Sequence, residues 1–361
     1  MYIVLVRMMV NGWKALSESK EMSDSFPLVS IVIAARNEAH QIGATIDGLL
    51  AQNYPKDRVE ILIIDDHSTD QTAEVVRSYT DDRIQLIQWN TTQKLNSYKK
   101  KAIADAISKS NGEWIVTTDA DCQMGPEWLS NLMAFSSLSE VKMVSAPVVF
   151  HKEKSLFERL QTLEFLYLIG LGAAGIGLGR ASTCNGANLA YRKSTFHEVG
   201  GFQGIDQLAS GDDELLLHKI AEKYPGSIRF CKQAGAFVFT DAKPDLKSFI
   251  QQRKRWASKS TKYRNKGIIA LGVSIWLFNA LLLGATIGIL YDCSYWLVVA
   301  GVWMSKVLVE YRFLVPITTF AKRNELLKLL PLVSPLHVMY LVYIGIAGNI
   351  GTYEWKGRSV R

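Results

Sequence analysis

Ile115-Val116-Thr117-Thr118-Asp119-Ala120-Asp121-Cys122 is the stretch that decides the fold. Its β-branched run predicts a short buried strand that ends directly at two carboxylates, Asp119 and Asp121. Both carboxylates cannot lie in an apolar core, because an unpaired buried charge costs too much free energy. In an open α/β sheet, ligands bind outside the carboxyl ends of the strands, where a hard cation such as Mg²⁺ or Mn²⁺ suits carboxylates. The alternative is a surface turn capped by aspartate side chains.

Two more strands upstream end in polar tips. Leu28–Ala35 leads into Arg36-Asn37-Glu38, and Glu60–Ile64 leads into Asp65-Asp66. Helical patterns over Ile42–Leu50 and Thr72–Ser78 alternate with these strands, which predicts a parallel sheet with crossover helices. We therefore expect the three tips to meet at one edge of the sheet. The sequence contains neither a Gly-x-Gly-x-x-Gly nor a P-loop motif, which disfavours dinucleotide binding and P-loop chemistry.

The composition indicates a polar domain followed by a membrane part. The chain has 361 residues, 48% of them hydrophobic, with a formal net charge of +7. Basic clusters such as Lys99–Lys101 and Arg253–Lys266 accompany apolar runs over 268–353, a combination that favours a membrane surface or a polyphosphate ligand over nucleic acid. The four cysteines show no Cys-x-x-Cys spacing, so we predict neither a zinc site nor a disulfide framework.

The middle of the chain contributes three further features. Met143–Phe150 predicts another strand. Phe157–Leu178 is apolar and glycine-rich, and predicts a buried helix, an interfacial helix or the floor of a cleft, with glycines that weaken the helix near its end. The acidic run Ser210–Leu217 has capping of a helix as its simple explanation. Gln252–Trp256 alone would suit a basic helix at a membrane surface.

The last part of the chain predicts membrane segments. Ile268–Tyr291 carries no charge and is long enough to span a bilayer, and Tyr295–Phe320 predicts a second span. Within the second span, Lys306 and Glu310 are four residues apart, so we expect them to pair. Pro331–Tyr353 is either a third span or a re-entrant or interfacial segment. Basic residues flank the first two spans on the cytoplasmic side, and a third full crossing would put Lys356 and Arg358 outside, against the positive-inside rule. At the other end, 1–25 predicts an anchor or a disordered lead and a linker.

The strand tips resemble those of inverting glycosyltransferase family 2. The similarity rests on Ala34-Ala35-Arg36-Asn37-Glu38, on Asp65-Asp66-x-Ser68-x-Asp70, on a lysine before the next helix and on Asp119-x-Asp121. The resemblance implies that Ala35, Arg36, Asn37, Glu38 and Asp66 cradle the uracil and ribose of a nucleotide sugar. It further implies that Lys99 touches the nucleotide and that Asp121 holds the metal with Asp119 nearby. Tyr98 departs from the family, which usually has glycine before this lysine.

Three later motifs resemble the same family in the same order. Gly186 and Asn188 match the strand that borders the donor sugar. In Gly211-Asp212-Asp213, the resemblance makes Asp213 the general base, because an acceptor hydroxyl must lose its proton as it attacks. Asp212 replaces the more frequent glutamate. Gln252, Arg255 and Trp256 match the Gln-x-x-Arg-Trp motif of membrane-bound members, in which arginine can neutralise a diphosphate and tryptophan offers a flat wall.

The sequence thus predicts an α/β fold with a mostly parallel sheet, followed by transmembrane helices over 267–361, and the resemblance implies that 26–266 is a Rossmann-like GT-A nucleotide-sugar domain. The resemblance implies an inverting transferase that needs Mg²⁺ or Mn²⁺. It would use a UDP-linked donor and a lipid or membrane-embedded glycan acceptor at the cytoplasmic face of the cell membrane. The tail also resembles ceramide glucosyltransferase-like enzymes through Trp355-Lys356-Gly357-Arg358. The alternatives are a processive polysaccharide synthase and a non-catalytic membrane protein that binds nucleotide sugars.

Overall fold

The structure is a computed structural model that describes residues 1–16, 26–89 and 95–349, and the backbone of 353–355 and 358–360. The predicted linker after residue 16 lies outside the described residues, as do Lys356 and Gly357. The strands are β1 Val29–Ala35, β2 Val59–Asp66, β3 Ile84–Trp89, β4 Trp114–Thr117, β5 Gln123–Met124, β6 Met143–Ser145, β7 Val148–His151, β8 Leu189–Arg192, β9 Ile228–Phe230, β10 Val238–Asp241, β11 Tyr353–Trp355 and β12 Arg358–Val360.

Helices lie between these strands and form most of the last third of the chain. The α-helices are α1 Tyr2–Ala15, α2 Ile42–Leu50, α3 Thr72–Arg77, α4 Tyr98–Lys109, α5 Trp128–Met133, α6 Leu156–Gly177, α7 Lys193–Glu198, α8 Glu214–Lys223, α9 Leu246–Ala257, α10 Lys266–Gly288, α11 Trp296–Phe320 and α12 Leu330–Ala347. Short 3₁₀ turns cover Lys56–Arg58, Ala234–Ala236, Ser260–Lys262, Cys293–Tyr295 and Asn324–Leu329.

Within the described residues, the main sheet has the order β3-β2-β1-β4-β8-β6-β9. β1 pairs in parallel with β2 and β4, β2 with β3, and β6 with β9, whereas β8 is antiparallel to both of its neighbours. The predicted α/β class with a mostly parallel sheet is therefore confirmed. A second, small sheet has the order β5-β10-β7, and β11 pairs with β12.

Alternate residues of the central strands enter two cores, one on each face of the main sheet. Ile31 and Ile33 of β1 pack in one core and Val32 packs in the other, and Ile61 and Leu62 of β2 divide in the same way. All five are fully buried or nearly so. Burial on both faces explains why these strands read as continuous apolar runs. Their polar residues are left to the strand ends, where the site forms.

The predicted strand Met143–Phe150 is wrong in one respect, because it is two strands in two different sheets. β6 ends at Ser145 and β7 begins at Val148. Pro147 lies between them, and proline has no N–H to donate to a ladder. Its carbonyl oxygen instead accepts bonds from Asn188 Nδ2 and from the Val238 N–H. The chain thus changes sheets at the proline.

The expectation that glycines weaken α6 near its end is also wrong, because α6 runs unbroken to Gly177. A Cβ on Gly170 would lie 2.2 Å from Ile317 Cδ1, and a Cβ on Gly177 would lie 2.0 Å from the Gly12 carbonyl oxygen. These glycines therefore let neighbouring helices approach closely, and that packing offsets the low helix propensity of glycine. Of the three predictions for this segment, a largely buried helix is observed, and the same helix also lines the cavity described below.

The N-terminal segment is a docked helix, and the alternative of a disordered lead is wrong for the described residues. Tyr2 of α1 stacks on Phe278 of α10, and its hydroxyl donates to Glu310 of α11. At the other end of α1, Trp13 packs edge-on against Phe320. Trp13 also lies against Phe230 of β9, with ring centroids 6.3 Å apart, so α1 joins the sheet domain to the C-terminal helices.

Three helical segments among the described residues are long and apolar enough to cross a membrane: Leu156–Gly177, Lys266–Gly288 and Asn324–Ala347. Leu156–Gly177 is α6, and it is mostly covered by protein, whereas only 11% of the apolar window of α10 is buried. α11, which the sequence predicts as a second span, is not among the three. It carries the predicted pair, since Lys306 Nζ lies 2.5 Å from Glu310 Oε1.

Candidate active site

A cavity of about 410 Å³ lies at the carboxyl ends of β1 and β4. It collects residues from segments that are far apart in the chain. The predicted site residues that line it are Glu38, Lys99, Asp119, Asp121, Gly186, Asp212, Asp213, Gln252, Arg255 and Trp256. Ala35, Arg36, Asn37, Asp66 and Asn188, which the sequence also predicts, do not line this cavity.

The tips of β1 and β2 are tied to each other. Arg36 Nη1 donates to the carbonyl oxygens of Asp66 and His67 at 2.8 and 2.9 Å. Asn37, which has a positive φ of 53°, donates its N–H to Ser68 Oγ. The carboxylate of Asp66 is buried and contacts His67 Nδ1 at 2.8 Å. Arg36, Asn37 and Asp66 therefore fix the shape of this edge through contacts within the protein.

Three aromatic rings, those of His67, Trp89 and Tyr98, stand beside these tips. The ring centroids of His67 and Trp89 are 5.8 Å apart, and those of Trp89 and Tyr98 are 6.2 Å apart. Tyr98 occupies the position where the family usually has glycine, and its ring completes the group. The departure from the family pattern thus adds an aromatic surface at the start of α4.

Lys99 joins the Asp119-x-Asp121 tip to the loop that contains Asp212 and Asp213. Lys99 Nζ lies 2.8 Å from Asp119 Oδ1 and 3.3 Å from Asp212 Oδ2. Burial alone would lower the pKa of Lys99, but the two carboxylates outweigh it and the pKa is raised. Lys99 is therefore a fixed cation at physiological pH, placed between two motifs 93 positions apart in the sequence.

Asp121 and its neighbours fit a divalent ion that arrives with a phosphate ligand. Asp121 and Asp119 both line the cavity. Across the part of the chain that the structure describes, no three Asp, Glu, His or Cys side chains form a complete metal cage. Mg²⁺ is commonly held by one or two carboxylates and completed by phosphate oxygens and water. The donor set present is of that kind.

Asp213 caps the N-terminus of α8 and is held from three sides. Its Oδ1 accepts the Glu214 N–H at 2.6 Å, and its Oδ2 accepts the Gly186 N–H at 3.0 Å. Lys259 Nζ lies 3.5 Å from Oδ1. Burial raises the pKa of Asp213, but Lys259 and the two backbone N–H groups hold it well below its usual range. Asp213 is therefore ionised and oriented toward the cavity that Gly186 also lines.

The loop before Asp213 is fixed by Lys100, whose role was not predicted from the sequence. Lys100 is buried, and its Nζ donates to the carbonyl oxygens of Ser210, at 2.7 Å, and Leu208. Burial lowers the pKa of Lys100 to about 8. Gly211 follows with a φ of +86°, a conformation that favours glycine. These two features set the direction in which Asp212 and Asp213 leave the loop.

Asn188, predicted to border the donor sugar, does not line this cavity. It is fully buried, and its Oδ1 accepts from Trp128 Nε1 at 2.9 Å. Its Nδ2 donates to the carbonyl oxygens of Pro147 and Ala236. A buried amide must satisfy all of its polar atoms, and Asn188 does so by joining three loops beneath the site.

Gln252, Arg255 and Trp256 of α9 line the cavity, and Arg253 supports them from behind. Arg253 is 1% exposed and pairs with Glu164 of α6. Its guanidinium lies 4.2 Å from the centroid of the Trp256 ring and donates to Gln252 Oε1 at 2.8 Å. Sequence reasoning missed Arg253 because it occupies a variable position of the motif.

One wall of the cavity is apolar and comes from α6. Phe165, Leu168, Ile169 and Leu171 line the same space as the carboxylates. Phe165 also stacks on Trp256, with ring centroids 5.8 Å apart. The cavity is therefore divided into a charged side at the strand tips and an apolar side toward the helical part. Such a cavity suits a ligand with an ionic end and an apolar end.

Comparison with known proteins agrees with the predicted family. Residues 30–200 match the model of glycosyl transferase family 2. The chain is 28% identical over 246 residues to probable glycosyltransferase YdaM of Bacillus subtilis (strain 168), covering 66% of this chain and 56% of YdaM. It is 24% identical over 239 residues to beta-monoglucosyldiacylglycerol synthase of Nostoc sp. (strain PCC 7120), covering 66% and 50% of the two chains. The chain spans about half the length of these curated relatives.

A solved structure shares the fold. The mannosyltransferase PcManGT from Pyrobaculum calidifontis, solved in complex with GDP-Man and Mn²⁺, is similar with a TM-score of 0.58. The similarity covers 92% of this chain and 97% of that one, at 19% sequence identity. At that identity the likeness shows the fold alone, and the predicted GT-A-like fold is confirmed.

Proposed function

We propose that the chain is a member of glycosyltransferase family 2, whose model matches residues 30–200, and that it transfers a sugar, with inversion at the anomeric carbon, from a UDP-linked donor to a lipid or membrane-embedded acceptor. The enzyme would lie in the cell membrane with its catalytic domain in the cytoplasm. The observation that carries the proposal is the cavity itself. Asp121, Asp213 and Arg255, from three separate motifs, line one space beside an apolar helix.

The donor diphosphate would lie at the charged side of the cavity. Asp121, with Asp119 beside it, would hold Mg²⁺ or Mn²⁺, and the ion would stabilise the negative charge of the leaving diphosphate. Arg255 would pair with the same diphosphate. Glu38 faces the cavity from the tip of β1 and would meet the ribose, while Arg36 would hold the two strand tips in place beneath the nucleotide.

Asp213 would act as the general base. Its carboxylate would accept the proton of the acceptor hydroxyl while the hydroxyl oxygen forms a bond to the anomeric carbon. The bond from that carbon to the diphosphate oxygen breaks at the same time, and its electron pair leaves with the diphosphate. A single displacement of this kind inverts the anomeric centre. The Gly186 and Glu214 N–H groups would keep the Asp213 carboxylate turned toward the acceptor.

The apolar wall supports a lipid acceptor. Phe165, Leu168 and Ile169 of α6 line the same cavity as the carboxylates, and Trp256 stacks on Phe165. α10 leaves most of its apolar surface uncovered by protein, which suits a helix in a bilayer. The Nostoc relative is named a beta-monoglucosyldiacylglycerol synthase, and a diacylglycerol has the polar end and apolar chains that this cavity would accommodate.

The proposal is tested by incubating membranes that contain the full chain with a panel of radiolabelled nucleotide sugars and Mn²⁺. We expect label from a UDP-sugar to enter the organic phase, and the product to carry one sugar with inverted anomeric configuration. Membranes with Asp213→Asn serve as the matched control and should release little label into that phase. Label in a long polymer would identify a processive synthase instead. Binding of UDP-sugar with no transfer to any acceptor would identify a binding protein.

A further inference from the structure

Lys259 is a buried cation beside the proposed base, and no motif accounts for it. It follows α9 and is three positions beyond Trp256. It is 7% exposed and lines the same cavity as Asp213 and Arg255. Its Nζ lies 2.7 Å from Glu214 Oε2 and 3.5 Å from Asp213 Oδ1.

We propose that Lys259 is a positioning residue for the glycosyl transfer: its ammonium group keeps the Asp213 carboxylate ionised and oriented for the acceptor hydroxyl. This inference rests on the proposed function of Asp213 as the base. A buried carboxylate without a nearby cation takes up a proton, and a protonated Asp213 could not accept one from the acceptor. Lys259, 3.5 Å from Asp213 Oδ1, lies close enough to prevent this at neutral pH.

The position of Lys259 is fixed by groups other than Asp213. Glu214 Oε2 holds the ammonium at 2.7 Å, and Tyr263 donates its hydroxyl to the other oxygen of Glu214. The stem of Lys259 passes Gly211, where an added Cβ would lie 3.1 Å from Lys259 Cδ. Tyr263, Glu214 and Lys259 thus form a chain of contacts that ends at Asp213. A lysine held in this way supplies its charge whether or not a donor is bound.

Several charged or titratable groups face Asp213 from the surrounding elements, and Lys259 is the one that dominates. These groups are Lys99 and Lys100 of α4, Cys184 before β8, Asp212 and Glu214 on its own segment, and Lys259 and Tyr263 after α9. Burial raises the pKa of Asp213, and Lys259 is the strongest of the influences that lower it. Loss of Lys259 must therefore raise this pKa. The loss of activity on the acid side of the pH profile must then begin at a higher pH.

The experiment compares Lys259→Met with Lys259→Arg in the full chain, with Lys262→Met as the control at an exposed lysine nearby. kcat is measured with saturating donor and acceptor across acid and neutral pH. We expect the acid limb of Lys259→Met to lie about two pH units or more above that of the wild type. Lys259→Arg should keep the wild-type limb. A rate that falls equally at every pH, with the limb unmoved, would overturn the inference.

A second readout does not depend on turnover. A water-soluble carbodiimide reacts with protonated carboxyl groups, and modification of Asp213 can be mapped by peptide mass spectrometry as a function of pH. In Lys259→Met the modification should begin at a higher pH than in the wild type. In Glu214→Gln the modification should begin at the same or a lower pH, because the charge of Lys259 is then no longer partly neutralised by Glu214 and acts more strongly on Asp213. Equal onset in wild type and Lys259→Met contradicts the inference, whereas a wild type that transfers no sugar contradicts the proposed function.

Discussion

The cavity and the region behind α9 each contain ion pairs, half-buried in the cavity and fully enclosed behind α9, and the two groups differ in what surrounds them. Lys99, Asp119 and Asp212 line a cavity that water and ligands can enter. Arg253 and Glu164 are enclosed by protein, with Arg253 4.7 Å from the ring centroid of Phe249. The first group can exchange its partners for a ligand. The second can only hold its neighbours, so burial of an ion pair does not by itself identify a functional site.

Arg253 and Arg255 show the same contrast within two positions of one helix. Residues two apart on an α-helix point to nearly opposite sides, about 200° around the axis. Arg255 therefore reaches the cavity while Arg253 reaches Glu164 of α6. The helix uses one arginine for the ligand and the other for its own attachment.

The largest effect is expected for the carboxylate that faces the cavity at α8. Asp213→Asn removes the proposed base and keeps the shape of the side chain, so turnover should fall by roughly 10²- to 10⁴-fold. Binding of UDP, measured by calorimetry on the purified protein, should change little because Asp213 is proposed to contact the acceptor. Asp57→Asn, at a side chain that is 79% exposed, is the control. Equal turnover in the two variants would remove Asp213 from the mechanism.

The next effect concerns the carboxylate proposed to hold the ion. Chelation of divalent cations should abolish transfer, and Asp121→Asn should lower kcat by roughly a hundredfold or more, because a metal supplies several kcal/mol of charge stabilisation. Mn²⁺ binding in the presence of UDP, followed by electron paramagnetic resonance, gives a readout apart from activity. It should weaken in Asp121→Asn and stay unchanged in Asp57→Asn. Full activity in excess chelator would contradict the proposed use of a metal.

The enclosed pair is expected to matter mainly for stability. Arg253→Met leaves Glu164 buried without its cation, which should cost about 3–5 kcal/mol of the free energy of unfolding. The double variant with Glu164→Met replaces the pair by apolar side chains and should recover most of that loss. Thermal unfolding in detergent measures both. A double variant as unstable as the single one would mean that Arg253 acts through Trp256 and Gln252 rather than through Glu164.

The central sheet and its tips could be predicted from the sequence because their signals are local. The β-branched runs before Arg36, Asp65 and Asp119 mark buried strands, and strand–helix alternation sets their direction. The structure places Glu38, Asp119 and Asp121 on one cavity, as expected from that alternation, whereas Asp66, at the third tip, does not line it. The motif residues of α8 and α9 came from a family resemblance, and the same cavity now contains them.

The remaining features depend on contacts between distant positions. Lys100 bonds to carbonyl groups of residues 208 and 210, and Arg253 pairs with Glu164, so no local pattern reveals either role. Asn188 was assigned to the donor sugar by resemblance, whereas its bonds join loops that no sequence window contains together. The glycines of α6 likewise indicate an unstable helix end unless the helices that pack against them are known.

The smallest expected effect concerns three consecutive lysines, Lys99 to Lys101, which have similar sequence surroundings but different partners. Lys99 faces the cavity, and Lys101 pairs with Asp105 at the surface, with a side chain that is 57% exposed. Lys99→Met removes the cation between Asp119 and Asp212, so kcat/KM for the donor should fall roughly tenfold to a hundredfold, the value of a hydrogen bond to a charged group.

Lys101→Met is the matched control, because an exposed pair of this kind contributes about 0.5 kcal/mol or less and touches no ligand. Its initial rates should equal those of the wild type. Lys99→Met should also unfold at nearly the wild-type temperature, since water can enter the cavity and solvate the two carboxylates that remain. If Lys99→Met instead lost stability and kept its rate, the ion pair at the strand tips would be of the same structural kind as Arg253 and Glu164, and the distinction between the two regions would fail.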